Sequence, residues 1–183
     1  GFRSVMPGVH KASTVIFENT AALRSTQWKD KSGYTYGLHG TPTTFVLEER
    51  LATLEGGLQT LLVPSGLAAI ALVGMALLVP DDEVLIPDNA YGPNKDFARG
   101  ELARWGITHR FYDPMDAASL SGLITPQTRL IWLEAAGSVT LEFPDLVGLV
   151  AQARQHPRVL LAMDNTWGAG LAFDTFALGV DVS

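Results

Sequence analysis

Short apolar runs alternate with longer helical patterns along most of this chain. Runs rich in leucine and β-branched residues predict strands at Thr60–Val63, Glu83–Ile86, Thr108–Tyr112, Leu130–Glu134 and Val159–Asp164, with a further strand beginning at Val180. Helical spacing predicts helices over Thr43–Leu54, Leu67–Leu78, Asn94–Trp105, Ala117–Ile124 and Asp145–Gln155. Because the two kinds of pattern alternate, we expect an α/β fold in which helices cover a parallel sheet.

The two ends of the chain differ from this repeating pattern. Residues 1–42 are rich in Gly, Ser, Thr and Tyr and predict an extended arm ahead of an α/β domain over residues 43–183. At the other end, Val180–Ser183 resembles the first half of a strand. A parallel strand cut at that point would leave its neighbour unpaired, so we expect the chain to be truncated.

Composition excludes several classes of protein. Of the 183 residues 47% are hydrophobic and 17% charged, which excludes disorder. The net charge is −6 and the basic residues are scattered, so nucleic acid is not an expected partner. The chain has no cysteine, which excludes disulfides and thiolate chemistry and fits a reducing compartment. The four histidines lack the spacing of metal ligands, so we expect no metal site.

One uncharged stretch, Gly56–Pro80, needs to be weighed as a membrane span. Its apolar part after the Pro-Ser-Gly break, Leu67–Val79, is shorter than the roughly 20 residues that cross a bilayer. We therefore expect a buried helix and no membrane association. The N-terminal residues show no apolar segment after a basic start, so no signal peptide is predicted and a cytoplasmic location is expected.

Candidate chemistry lies where polar residues follow predicted strands, since open α/β sheets bind ligands at that edge. Ser65 and Gly66 open a helix whose first N–H groups suit a phosphate, although the sequence alone favours a tight turn with Ser65 as its N-cap. Asp164 ends a buried strand and would pair with a protonated heterocyclic nitrogen, or form an Asx-turn. Tyr91 offers a ring to stack on a planar cofactor, or to cover the following helix.

Taken in order, these motifs resemble one family, the pyridoxal-phosphate enzymes of cysteine and methionine metabolism, in its cystathionine β-lyase and γ-synthase group. The resemblance rests on the following segments: Ala12–Phe17, Tyr36-Gly37, Gly40–Thr43, Leu54–Gly57, Pro64–Gly66, Asn89–Tyr91 and Asp164–Trp167. It implies the large domain of an aspartate aminotransferase-like fold (PLP fold type I), with a mostly parallel sheet and helices on both faces. It also implies pyridoxal 5'-phosphate as cofactor.

The resemblance assigns roles to particular residues. The phosphate would bind the strand-to-helix turn formed by Ser65, Gly66 and Leu67. Tyr91 would stack on the pyridine ring as the candidate catalytic residue of this chain, and Asp164 would hold the proton on the ring nitrogen.

Two further features of the family concern assembly and the lysine that forms the Schiff base. Tyr36 would reach the phosphate of a neighbouring subunit, so a homo-oligomer is implied, a dimer of dimers. The Schiff-base lysine would follow the strand that begins at Val180, beyond Ser183, and this chain has no lysine after Lys95. By itself the chain is therefore expected to be inactive.

The reaction implied is β-elimination from cystathionine, which gives homocysteine, pyruvate and ammonia. Gly137-Ser138 and Trp167 look more like β-lyases, whereas Leu38 stands where many members have a phosphate-binding arginine, with His39 beside it. Other reactions of the family stay open: cystathionine γ-synthase, γ-lyase or O-acetylhomoserine sulfhydrylase. A non-catalytic binding module of the same fold is the alternative from a different class.

Overall fold

Four parallel strands form the centre of the computed structural model, which describes residues 5–183. They are β1 (Glu83–Pro87), β2 (Thr108–Tyr112), β3 (Thr128–Glu134) and β4 (Leu160–Asp164), in the spatial order β2-β1-β3-β4. Each matches a predicted strand to within two residues. All three pairings are parallel, so the carboxyl ends of the strands share one edge of the sheet.

Helices fill the connections, as the periodicity predicts. They are α1 (Thr20–Ser25), α2 (Pro42–Glu55), α3 (Gly66–Leu77), α4 (Gly92–Phe97), α5 (Ala117–Leu123) and α6 (Leu146–Ala153). The helix predicted over Asn94–Trp105 is α4 continued by a π-helical turn at Ala98–Leu102.

The core lies on both faces of the sheet. On one face Leu85, Ile131 and Leu161 pack with residues of α5 and α6. On the other face Ile86 and Ala162 pack with residues of α3 and α4. Strands covered on both sides must be apolar almost throughout, which explains their unbroken runs of leucine, isoleucine and valine. The α/β class with helices on both faces is confirmed.

The strand predicted at Thr60–Val63 is wrong. Its backbone groups have side-chain partners, because the Leu62 N–H donates to the Glu48 carboxylate at 3.0 Å and the Thr60 carbonyl accepts from Lys31 Nζ. The segment therefore runs as a loop. The strand predicted from Val180 is present as one parallel bridge between Val182 and Ala162.

Residues 5–183 divide into two units, of which the smaller comprises the residues up to Thr53 together with Gly57–Leu62. The predicted extended arm belongs to this unit and is interrupted by helix α1, whose first turn is capped by the Asn19 side chain. A domain boundary between residues 42 and 43 stays a prediction. Within residues 5–183 no helix has the length and apolar character needed to cross a bilayer.

Candidate functional site

The sheet has a topological switch point between β1 and β3. The chain leaves β1 toward β2 on one side and leaves β3 toward β4 on the other. The loops that follow β1 and β3 therefore diverge and open a crevice at the carboxyl edge, which is where open α/β sheets bind ligands.

The N-terminus of α3 lies at this same edge, because α3 leads through a short turn into the start of β1. Ser65 caps the helix, with its Oγ accepting the Ala68 N–H at 3.1 Å, so the predicted cap is confirmed. The first N–H groups of a helix have no intrahelical partner and form the positive end of its dipole. A Cβ added at Gly66 would meet no atom within 4 Å, so there is free space beside the first residue of α3, at the helix end where a phosphate would bind.

Tyr91 lies in the loop after β1, immediately before α4, with 39% of the residue exposed. Its backbone is held on both sides: its N–H donates to Glu134 Oε2 at 2.8 Å and its carbonyl accepts the Asn94 N–H at 2.9 Å. Lys95 Nζ donates to the Asp88 carbonyl at 2.7 Å and so ties the same loop to α4. The ring of Tyr91 is thus presented at the edge on a fixed backbone.

Asp164 is the last residue of β4. Its Oδ1 accepts both the Thr166 N–H at 3.1 Å and the Thr166 hydroxyl at 2.5 Å, so the predicted Asx-turn is present. Both bonds fall on one oxygen, and within residues 5–183 no hydrogen bond to Oδ2 is found. A carboxylate with one oxygen held by a turn can still accept a bond from a protonated ring nitrogen.

Glu134 is a site residue that the sequence patterns did not single out. It ends β3 in register with Asp164 on β4, and it is only 5% exposed. Burial is the main cause that raises its pKa to about 7, and the negative charge of Asp164 adds to it. The N–H groups of Tyr91 and Ser138 and the charge of Lys95 act in the opposite direction and lower this pKa.

Tyr36 belongs to the smaller unit, whereas Ser65, Gly66, Leu67, Tyr91 and Asp164 belong to the larger one. Tyr36 forms an antiparallel bridge with Thr14, and the edge of its ring meets His39. His39 stacks on Trp28 at 4.4 Å between ring centroids, and its Nδ1 is 2.9 Å from the Thr35 hydroxyl. The ring nitrogen of His39 nearer the backbone is therefore already partnered.

The donor set of the larger unit fits pyridoxal phosphate. A capped helix N-terminus with open access suits its phosphate, and the exposed ring of Tyr91 suits its planar pyridine. The Asp164 carboxylate suits the protonated ring nitrogen, because an opposite charge at close range favours the charged form.

Comparisons with known proteins agree with this fit. The chain is 41% identical to a cystathionine beta-lyase of Bordetella avium over 181 residues, covering 97% of this chain and 45% of that protein. It is 34% identical to cystathionine beta-lyase MetC of Escherichia coli K12, covering 96% of this chain and 45% of that protein. The chain thus spans less than half of the length of these relatives.

A solved structure gives the same result for the fold. A Campylobacter jejuni protein assigned as an O-acetylhomoserine (thiol)-lyase, which carries N'-pyridoxyl-lysine-5'-monophosphate, superposes with a TM-score of 0.90. The two chains are 27% identical, and the match covers 98% of this chain and 44% of that one. A family profile for pyridoxal-phosphate enzymes of cysteine and methionine metabolism matches residues 1–183. Because that match extends over the whole chain, the chain belongs to the Cys/Met metabolism PLP-dependent enzyme family.

Proposed function

We propose that this chain is the cofactor-binding part of a carbon-sulfur lyase that converts cystathionine to homocysteine, pyruvate and ammonia by β-elimination. The observation that carries the proposal is the convergence of an open helix N-terminus, an exposed aromatic ring and a strand-end carboxylate at one sheet edge. The cystathionine beta-lyase names of its relatives support the choice of substrate.

Each residue of the larger unit has a distinct task in this proposal. The N–H groups of Gly66 and Leu67, with the Ser65 cap, hold the phosphate, and the ring of Tyr91 lies against the pyridine. Asp164 keeps a proton on the ring nitrogen. Pyridoxal phosphate, when bound, accepts the electron pair that remains after the α-proton of an amino-acid substrate is removed.

The products of the full-length enzyme test the reaction. With cystathionine as substrate, we expect pyruvate and homocysteine, whereas γ-elimination would give 2-oxobutyrate and cysteine. The Campylobacter jejuni structure favours a second candidate, a reaction on O-acetylhomoserine, so that substrate is assayed in parallel. Bound cofactor without turnover of either substrate would instead support a binding module.

The variant Asp164→Asn tests the role of the carboxylate. We expect the cofactor to stay bound while turnover falls by orders of magnitude, because an unprotonated pyridine is a poor electron sink. Asp116→Asn is the matched control, since Asp116 caps α5 through its side chain and asparagine caps a helix equally well. Near-native turnover in Asp164→Asn would refute the role.

We also propose that the enzyme is a cytoplasmic dimer of dimers in which Tyr36 contacts the cofactor phosphate of a neighbouring subunit. Support comes from the smaller unit, which exposes large apolar side chains at Val9, Ile16 and Leu38, exposed by 77%, 94% and 83%. Large exposed apolar areas mark protein interfaces. Mixing Tyr36→Phe subunits with Asp164→Asn subunits tests the shared site, because hybrids would recover activity only if sites combine residues from two chains.

A further inference from the structure

Glu134 lies at the topological switch point between β1 and β3. It is the last residue of β3, with β1 on one side and β4 on the other. On the β4 side its strand partner is Asp164, and on the β1 side its carboxylate reaches the loop that carries Tyr91. One buried side chain thus lies between the two residues that the proposed function places against the cofactor ring.

The carboxylate of Glu134 links the end of β3 to the loop that follows β1. Its Oε2 accepts the Tyr91 N–H at 2.8 Å, and the Ser138 N–H, from the loop after β3, lowers the pKa of the same carboxyl. Tyr91 is the N-cap residue of α4 and makes no capping hydrogen bond with its own side chain. The hydrogen bond to Glu134 therefore fixes the start of α4, which the Tyr91 side chain does not do.

We propose that Glu134 is a positioning residue that sets the place of the Tyr91 ring over the cofactor by binding the Tyr91 backbone N–H. This inference rests on the proposed function, in which Tyr91 stacks on pyridoxal phosphate. Glu134 does not itself need to touch the cofactor. Its effect on cofactor affinity passes through Tyr91, and that dependence separates it from a direct ligand.

A double-mutant cycle in the full-length enzyme measures this dependence through the dissociation constant of pyridoxal phosphate. Glu134→Ala is expected to weaken binding roughly fivefold, the usual worth of one hydrogen bond. Glu134→Gln keeps an oxygen that can accept the same N–H, and below pH 7, where the Glu134 carboxyl is uncharged, it is expected to stay within about twofold of the wild type. In a Tyr91→Ala background, Glu134→Ala should have no further effect.

Glu142→Ala is the matched control, because the Glu142 carboxylate also binds the Tyr91 loop, accepting Asn89 Nδ2 at 3.0 Å. It should leave cofactor affinity unchanged. If it weakens binding as much as Glu134→Ala does, or if Glu134→Ala and Tyr91→Ala are additive, the proposal is overturned. If Glu134→Ala does not fold, Glu134→Asp replaces it, since the shorter side chain withdraws the acceptor from Tyr91.

The cycle distinguishes the two proposals from each other. If the effects of Glu134→Ala and Tyr91→Ala are not additive and the enzyme forms 2-oxobutyrate, the positioning role is supported and β-elimination is rejected. An additive cycle in an enzyme that forms pyruvate rejects only the positioning role. A full-length protein that binds no pyridoxal phosphate rejects both.

Discussion

Replacing Glu134 by glutamine should change how protein stability depends on pH. The pKa of Glu134 is raised from 4.5 to about 7 in the folded protein, with burial as the main cause. Between these two values the folded state binds more protons at this position than the unfolded state does. The contribution of Glu134 to the free energy of unfolding therefore falls as pH rises from about 4.5 to 7, and the loss is complete above the folded pKa.

The size of this loss follows from the shift in pKa. A change from 4.5 to about 7 is 2.5 units, and each unit corresponds to about 1.4 kcal/mol. The contribution of Glu134 to the free energy of unfolding should therefore be about 3 kcal/mol lower above pH 7 than at pH 4.5. Glutamine has nearly the same shape and no charge, so it does not incur this loss.

Denaturant unfolding of the cofactor-free protein between pH 5 and pH 8 provides the measurement. As pH rises over that range, the unfolding free energy of Glu134→Gln minus that of the wild type should increase by about 2–3 kcal/mol. Other titratable groups, such as His109, whose pKa is lowered by burial and by Arg99, are present in both proteins, so their effects cancel in the difference. Glu142→Gln is the control and should give a flat difference, because hydrogen bonds lower the pKa of Glu142.

A constant difference between Glu134→Gln and the wild type from pH 5 to pH 8 would refute this reasoning. It would mean that Glu134 is charged throughout the range and that the loop N–H groups offset its burial completely. Infrared spectra give an independent check, because a protonated carboxyl band that disappears near pH 7 should be present in the wild type and missing in the variant.

Substitutions at three positions have defined outcomes. Tyr91→Phe should keep cofactor affinity and Tyr91→Ala should lose about 1 kcal/mol of it in a binding titration; equal losses would show that the hydroxyl is the contact. Arg110→Met should destabilise the fold by about 2 kcal/mol in denaturant unfolding, because it leaves the buried carboxylate of Glu83 without its cation. In the wild type Arg110 binds that carboxylate at 2.6 and 2.8 Å. Unchanged stability would contradict this. Lys31→Met should destabilise the fold by a similar amount, since it leaves the buried Glu48 without its cation at 2.5 Å. Lys31→Arg keeps the charge and should destabilise it less. Equal losses of stability would show that the charge does not account for the effect.

The sheet could be predicted from the sequence because its strands are buried on both faces. Such strands need apolar side chains at every position, and each of the four stands out as a run between helical patterns. Thr60–Val63 has the same residue types, but strand formation depends on a neighbouring backbone that the pattern does not reveal. Here the side chains of Glu48 and Lys31 bind backbone groups of that segment that a neighbouring strand would otherwise bind.

The edge of the sheet was predictable and its internal contacts were not. Parallel strands bring their carboxyl ends together, so Tyr91 and Asp164 follow from the strand predictions alone. The contact between Glu134 and Tyr91 joins residues 43 positions apart and depends on β1 and β3 being neighbours. The available signal was a carboxylate at the end of a buried apolar run, which needs a partner wherever it occurs.

Two opposing sets of interactions act on the Glu134 carboxylate, and they determine both its raised pKa and its hydrogen bond to the Tyr91 loop. Burial at the end of β3 and the nearby charge of Asp164 disfavour the carboxylate, while the N–H groups of Tyr91 and Ser138 favour it. If the Tyr91 loop moved away, the charge would lose a donor that offsets its burial, so the carboxylate opposes that movement. Because an N–H bond to a charged oxygen is stronger than one to a neutral carboxyl, this hold should strengthen as pH rises through about 7. The contribution of Glu134 to the free energy of unfolding is then lowest in the pH range where the Tyr91 loop is held most firmly.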